Sequence, residues 1–303
     1  MTSGRRPRAS LASAVALGAL FPLGWVLGHL PSRALAWTGR RLGDLLWLLL
    51  PGRRAVALGN LTRAFGAARS GPELRRIGRT SFEHAGMNVA EACLFFFRPT
   101  SVLLSRVEFS GLEHLVAAHA AGKGVLVLTA HYGNWELLAA SHALTGIPLS
   151  VVVRPLDHPL ADEFVEAFRR RTGAELIEKR RAIGDIVDAL RRGRMVGILL
   201  DQNAARSEGV FVPFFGVPAS TSRGLAVIAL RTKVPVIPIY IRRLCGGRHC
   251  VEIGPELPAP PDRDVTSYTA AFNESIEAAI RRDPGQWFWM HDRWRTRPRP
   301  EAE

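Results

Sequence analysis

Gly124-Val125-Leu126-Val127-Leu128-Thr129-Ala130-His131-Tyr132-Gly133-Asn134-Trp135-Glu136 is the stretch on which the fold turns. Val125–Thr129 is a short apolar run of the kind a buried strand needs. Residues 135–144 instead space their apolar side chains as a helix does. Between the two, Gly133 permits a tight turn and Asn134 can cap the new helix. A histidine therefore stands where a strand ends and a helix begins.

The His131-x4-Glu136 spacing narrows its role. On one continuous helix the two residues would point about 140° apart. With His131 in the turn and Glu136 in the first helical turn, the loop is expected to fold the imidazole back onto the carboxylate. A carboxylate on one ring nitrogen fixes the tautomer and leaves the other nitrogen as a base. The helix start also aims backbone donors where negative charge would develop. This reading requires ring and acid to lie together beside a groove. A turn histidine whose ring is merely satisfied is the alternative.

Outward from this stretch, short strands (125–129, 149–153, 195–200, 236–241, 249–253) alternate with helices (135–144, 160–172, 183–192, 221–232, 266–282). The alternation predicts an α/β fold with a mostly parallel central sheet flanked by helices. Ligands of such sheets sit beyond the carboxyl ends of the strands. His131, Arg154 and Asp201 each follow an expected strand, so one crevice is expected to gather all three.

Residues 55–100 read as helical. Upstream, Arg5, Arg6 and Arg8 precede Leu11–Leu30, a run with no side chain formally charged at neutral pH. That is about the length needed to cross a bilayer core. Pro31-Ser32-Arg33 follows instead of a small-residue cleavage site, which favours a membrane helix over a signal peptide. A buried soluble helix is the other alternative. Leu45–Leu50, flanked by Arg33, Arg40, Arg41, Arg53 and Arg54, is too short to span and suits a membrane interface. The heavier positive load after the first run places the main body on the cytoplasmic side. The expected division is a membrane-anchoring segment, residues 1–55, and a main domain, residues 56–303.

With 303 residues and a formal net charge of +13, the chain can bury a substantial core and attracts polyanions. Its basic residues alternate with apolar ones and accompany no nucleic-acid motif. An anionic membrane surface is therefore favoured over nucleic acid. Cys93, Cys245 and Cys250 lack metal-ligand spacing and argue against a disulfide framework. The Gly-x-Ser-x-Gly elbow of serine hydrolases is absent, and Gly122-Lys123-Gly124 lacks the rest of a phosphate loop.

Further landmarks follow in order: Arg154-Pro155-Leu156-Asp157, Arg169-Arg170-Arg171-Thr172-Gly173 and Asp201-Gln202-Asn203. Then come Val210-Phe211-Val212-Pro213-Phe214-Phe215-Gly216-Val217-Pro218-Ala219-Ser220-Thr221 and Trp287-Phe288-Trp289-Met290-His291-Asp292-Arg293-Trp294-Arg295-Thr296-Arg297-Pro298. With the His-x4-Glu box, this series resembles the late acyltransferases of lipid A biosynthesis, the lauroyl and myristoyl transferase family, over almost the whole chain.

The resemblance implies a glycerolipid-acyltransferase-like fold and acyl transfer at the cytoplasmic face of a bacterial inner membrane. It implies a donor on acyl carrier protein, or acyl-CoA, an acceptor hydroxyl on a glucosamine-based lipid, and neither cofactor nor metal. By matched position, His131 would be the base and Glu136 its partner, with Arg154 and Asp201 also at the site. Asn134, Arg169, Arg171, Thr221 and Arg293 are further substrate-binding candidates, the arginines at 169 and 171 as phosphate clamps. The chemistry fits: a hydroxyl needs a base at the moment of attack, whereas a thioester needs no covalent enzyme intermediate.

Two positions depart from the family pattern. Asn203 stands where an acid is common, and Asp292 interrupts what is commonly His-Arg-Arg-Phe-Lys. Asp292 removes a positive charge that would meet a lipid phosphate, which keeps another glycolipid, such as a phosphatidylinositol mannoside, open as acceptor. A thioesterase, with water as acceptor, and a non-catalytic basic membrane module are the remaining alternatives. Single residues keep theirs too: Arg154 as a surface ion pair with Asp157 or Glu163, Asp201 as a turn cap, and Trp287, Trp289 and Trp294 as interface anchors or core.

Overall fold

The computed structural model describes residues 21–153, 166, 167, 169–178 and 182–299. Three helices, α1 (Ser32–Leu49), α2 (Pro51–Phe65) and α3 (Gly71–Phe97), lead into the sheet. Pro51 opens α2 where no N–H is needed, and the Glu73 carboxylate accepts the Ser70 N–H to cap α3. Gly39 and Gly43 of α1 meet Gly86 of α3 so closely that a Cβ at any of them would strike the facing backbone.

The chain continues through α4 (Thr100–Leu104), β1 (Val107–Ser110), α5 (Leu112–Ala120), β2 (Val125–Thr129), α6 (Trp135–Ser141) and a 3-10 turn at His142–Leu144. Next come β3 (Leu149–Val153), β4 (Glu175–Glu178), α7 (Ala182–Arg191), β5 (Met195–Leu199) and a hairpin of β6 (Gly209–Phe214) and β7 (Val217–Ser222). Then follow α8 (Gly224–Thr232), β8 (Val236–Arg243), β9 (His249–Ile253) and α9 (Val265–Arg282).

Seven strands form one sheet in the order β1-β9-β8-β2-β5-β3-β4. β8, β2, β5, β3 and β4 run parallel; β9 runs against β8, and β1 follows β9. Alternate residues serve opposite layers. Leu126, Leu128, Val196 and Val236 pack with α8, α9 and the C-terminal tryptophans, whereas Val125, Val127, Met195 and Ile239 pack with α5 and α6. Because both faces are covered, the inner strands β2, β5 and most of β8 read as nearly continuous apolar runs.

The five expected strands are present, with β5 ending at Leu199 and β8 extending to Arg243. The sequence did not signal β1 and β4, four-residue edge strands with partly exposed side chains, or the β6–β7 hairpin. The helix expected from 221 begins at Gly224, because Thr221 and Ser222 complete β7. The helix expected over 160–172 lies largely outside the described residues.

Of the Leu11–Leu30 run, residues 11–20 also lie outside them, and among the described residues no helix is long and apolar enough to cross a membrane. Leu45–Leu49 is the last turn of α1, with Trp47 buried and Leu45, Leu48 and Leu49 exposed. Trp287, Trp289 and Trp294 are core residues, which removes the interface-anchor alternative. The three cysteines are free.

The glycine contact between α1 and α3 is open to test. Gly86→Ala should force the helices apart or strain them, lowering stability by about 1–3 kcal/mol in denaturant unfolding. An unchanged midpoint would show that the helices do not meet so closely.

Candidate active site

Connections from β2 and β5 leave in opposite directions. β2 passes through α6 to β3, beyond β5, while β5 passes through the hairpin and α8 to β8, on the other side of β2. The strand ends between them form a switch point, the usual crevice of such a sheet. Thr129 of β2 pairs with Leu199 of β5, so two further residues on each strand bring His131 and Asp201 side by side.

Asp201, only 2% exposed, receives three donors. The His131 backbone N–H donates to Oδ2 at 3.0 Å, His131 Nδ1 to Oδ1 at 2.8 Å and the Trp287 indole to Oδ2 at 2.7 Å. Burial pushes the Asp201 carboxyl up, but the charge and hydrogen bonds of His131, with the Trp287 bond, outweigh it and hold the group below its usual value. An ionised Asp201 accepts only, so Nδ1 carries a proton, and the tautomer that Asp201 selects leaves Nε2 as the acceptor. Nε2 faces the Gln202 side-chain amide at 3.3 Å, and the ring stands edge-on to Trp135 with centroids 5.0 Å apart.

The expected pairing of His131 with Glu136 is corrected. Both Glu136 oxygens are taken by Arg169, Nε at 2.9 Å and Nη2 at 2.6 Å, in a bidentate pair. The reason is distance along the strands: register delivers Asp201 to the ring, and Glu136 sits a helical turn away where Arg169 reaches it. This ion pair is part of the lining of an open apolar cavity beneath α6 and against the sheet. Val127, Val151, Met195, Leu199, Ile239 and Leu138 are among its walls. Trp135 lines it too and joins it to the His131 ring.

The turn itself is clamped on every side. Phe288 N–H donates to the His131 carbonyl, Gly133 N–H to the Gln286 carbonyl, and the Asn88 amide to the Gly133 carbonyl. A Cβ at Gly133, where φ is +60°, would strike the Ile241 carbonyl. Asn134 caps α6 through the Leu137 N–H at 3.0 Å, as expected from sequence, and donates to Glu91 at 2.6 Å. At 2% exposure it steadies the loop from within.

Glu91 of α3 is a residue the sequence did not reveal. It ion-pairs with Arg243 and lies near His249, while Arg243 also bonds Asn88 and His84. Burial alone would raise the Glu91 carboxyl, but Arg243 and His249 hold it well below the usual carboxylate range. Burial, with the Arg243 charge, holds the His84 imidazole down at about 3. No local motif marks these residues; α3, β8 and β9 converge only in the fold.

Other candidates fall elsewhere. Thr221 and Arg293, expected to bind substrate, are corrected to the interior, both 0% exposed. Arg293 donates to the Ser220 carbonyl and the Thr221 hydroxyl and stacks on Phe214, and burial lowers its guanidinium to about 10. Arg171 donates to the carbonyls of Phe96 and Arg98 at the end of α3. Asn203 binds His291 Nε2 through its N–H and Thr296 through its side chain. Arg154 lies outside the described residues.

A histidine whose Nδ1 is held by a buried carboxylate, with Trp135 between its ring and an apolar cavity, gives this α/β fold the outline of a site for a substrate with an apolar part. The comparisons then give the class its family. The chain belongs to the bacterial lipid A biosynthesis acyltransferases, whose family description matches residues 6–296. It is 28% identical over 277 residues to the lipid A biosynthesis lauroyltransferase of Escherichia coli, covering 90% of this chain and 89% of that protein. It is 29% identical over 280 residues to the palmitoleoyltransferase of the same organism, covering 92% and 90%. Similarity extends to a phosphatidylinositol mannoside acyltransferase of Mycobacterium tuberculosis, 28% over 202 residues, covering 63% and 60%. The protein is thus an acyltransferase of the lipid A biosynthesis family.

The buried ionisable groups fix how stability responds to pH. Asp201 and Glu91 are held below their usual values, so their contribution is present above about pH 4 and lost as pH falls through the depressed values. His84 acts from higher pH: its unfolded ring protonates near 6.5 while the folded ring stays neutral to about 3, so stability drops as pH falls below 6.5. Melting temperature is expected to decline steadily below that pH. His84→Gln, which still accepts from Arg243 but does not titrate, should flatten the upper part of the decline; an identical profile would contradict this.

Proposed function

We propose that this protein is a membrane-bound O-acyltransferase moving a fatty acyl chain from a thioester on acyl carrier protein to a hydroxyl of a lipid A precursor. The observation that carries the reading is the His131–Asp201 pair, whose ring meets Trp135 of the apolar cavity and whose Nε2 is met by the Gln202 side chain alone among the described residues. The acceptor hydroxyl takes the place of the Gln202 amide at Nε2. His131 accepts its proton as the oxygen attacks the thioester carbonyl, and Asp201 steadies the imidazolium. Collapse of the tetrahedral intermediate breaks the C–S bond, and the imidazolium returns the proton to sulfur. Glu136 acts at one remove, holding Arg169 on the cavity rim.

Residues 1–55 serve in this reading as the membrane-anchoring segment and 56–303 as the acyltransferase domain, at the cytoplasmic face of a bacterial inner membrane. Support for the membrane comes from α1, where exposed Trp37, Leu45, Leu48 and Leu49 lie with exposed Arg33 and Arg41, and from exposed Phe21, Leu23 and Trp25 upstream. Apolar side chains interleaved with cations suit an anionic interface. Asp292 and the similarity to phosphatidylinositol mannoside acyltransferases favour, as a second reading, another glycolipid acceptor with acyl-CoA or acyl carrier protein as donor.

General-base catalysis is worth about 10²–10⁴-fold, so His131→Ala should lower transfer at least about a hundredfold with purified donor and acceptor. Near-normal transfer by that variant would remove His131 as the base, and fatty acid release without acceptor would favour a thioesterase. For the membrane, Trp37→Glu with Leu48→Glu should weaken binding to anionic vesicles about tenfold or more while transfer in detergent persists. Unchanged vesicle binding would discard α1 as the contact.

A further inference from the structure

We propose that the Thr129 hydroxyl is a further catalytic group, donating a hydrogen bond to the carbonyl oxygen of the donor thioester. The proposal rests on the acyl-transfer reading of the same site and adds a residue that neither motif nor family pattern singled out.

Thr129 closes β2 two residues before His131, and its partner in register, Leu199, closes β5 two residues before Asp201. These two form the last row of the sheet before the dyad, and both line the apolar cavity. Alternation along the strand puts Thr129 on the face of Val127, which also lines the cavity, and away from Leu128 in the opposite layer. Thr129 is 6% exposed, and its Oγ1 has no hydrogen-bond partner among the described residues.

Neighbouring hydroxyls on the cavity wall are all engaged. Ser141 Oγ donates to the Leu138 carbonyl at 2.7 Å, and Thr145 Oγ1 to the His142 carbonyl at 2.8 Å. Their bonds are local to a helix end, whereas Thr129 ends a strand whose backbone groups are already spent on the ladder. A buried hydroxyl left unpaired works against folding, and valine would fill the same space on a strand at least as well. Its presence at the head of an apolar cavity points to a ligand with one polar atom at that depth.

A fatty acyl thioester has that form: an apolar chain with a carbonyl oxygen at its head. With the chain in the cavity, the carbonyl comes to the rim, where a hydroxyl held by His131 Nε2 must reach its carbon. Attack forms the new C–O bond and moves the carbonyl π pair onto oxygen, facing the Thr129 O–H, which keeps its proton throughout. As the C=O bond reforms, the C–S bond breaks and the thiolate takes the proton from the imidazolium. A donor at this oxygen is bound more strongly in the transition state than in the ground state, which is the requirement for catalysis.

The test compares Thr129→Val and Thr129→Ser with the unmodified full-length protein in detergent, using a defined acyl thioester and a lipid acceptor. Valine keeps the volume and removes the donor. The expected result is a kcat lowered about 10- to 100-fold with donor KM within about threefold, and a melting temperature equal to or above that of the unmodified protein. Serine should restore most of the rate. Wild-type turnover by Thr129→Val would overturn the proposal. So would an equal loss in both variants with a lowered melting temperature, which marks packing. His131→Ala run in parallel separates the claims. If it is inactive while Thr129→Val is normal, only the Thr129 role fails; if it is as active as the unmodified protein, the assignment of His131 as base falls, and this proposal with it.

Discussion

The Asp201 carboxylate, almost entirely removed from water, is the point to which the rest of the site is tied. A buried charge is costly unless its lone pairs are met, and here three N–H groups meet them. Each hydrogen bond to a charged group contributes about 1.5–3 kcal/mol. The three donors come from the end of β2, the ring that follows it and the indole of Trp287. One carboxylate thus joins two adjacent strand ends to the C-terminal segment and sets the tautomer of His131 with the same bonds. Orientation of the imidazole and closure of the fold are a single event.

Behind the turn a second buried charge does comparable work. Glu91 is held by Arg243 and accepts a hydrogen bond from the Asn134 amide. The third acid, Glu136, touches neither and answers to Arg169 at the cavity rim. Each of the three carboxylates has its own partner: Asp201 the imidazole, Glu91 one arginine and Glu136 another. That division keeps like charges apart in a small volume. It also explains why the nearest acid in sequence is not the one on the ring.

Strands 125–129, 149–153 and 236–241 could be read from the sequence because they are largely apolar runs bounded by turns and buried on both faces. β1 and β4 escaped because four residues with exposed alternates leave too little pattern. The β6–β7 stretch was visible as a motif, yet Pro213, Gly216 and Pro218 hid its strands. His131, the cap at Asn134 and the meeting of strand ends followed from local spacing. The pairing with Asp201 did not, since register between residues seventy apart is a property of the sheet. Thr221 and Arg293 matched family boxes, but their burial depends on α9 and the C-terminal segment closing over the hairpin.

The cavity follows from the same architecture. A parallel sheet needs cover on both faces, and long crossover helices normally supply it. α6 has only seven residues before it tightens into the 3-10 turn at His142–Leu144, and among the described residues a cavity remains between it and the face of β2, β5 and β3. The strands there remain as apolar as a core demands, because the same residues must pair and pack on either side. A hydrocarbon chain is the substrate whose burial, at about 0.8 kcal/mol per methylene, suits such a gap. On the proposed reading the acyl chain completes the missing layer, and its carbonyl head lies where the strands end and the base stands. Substrate chemistry and the short helix are then two aspects of one constraint.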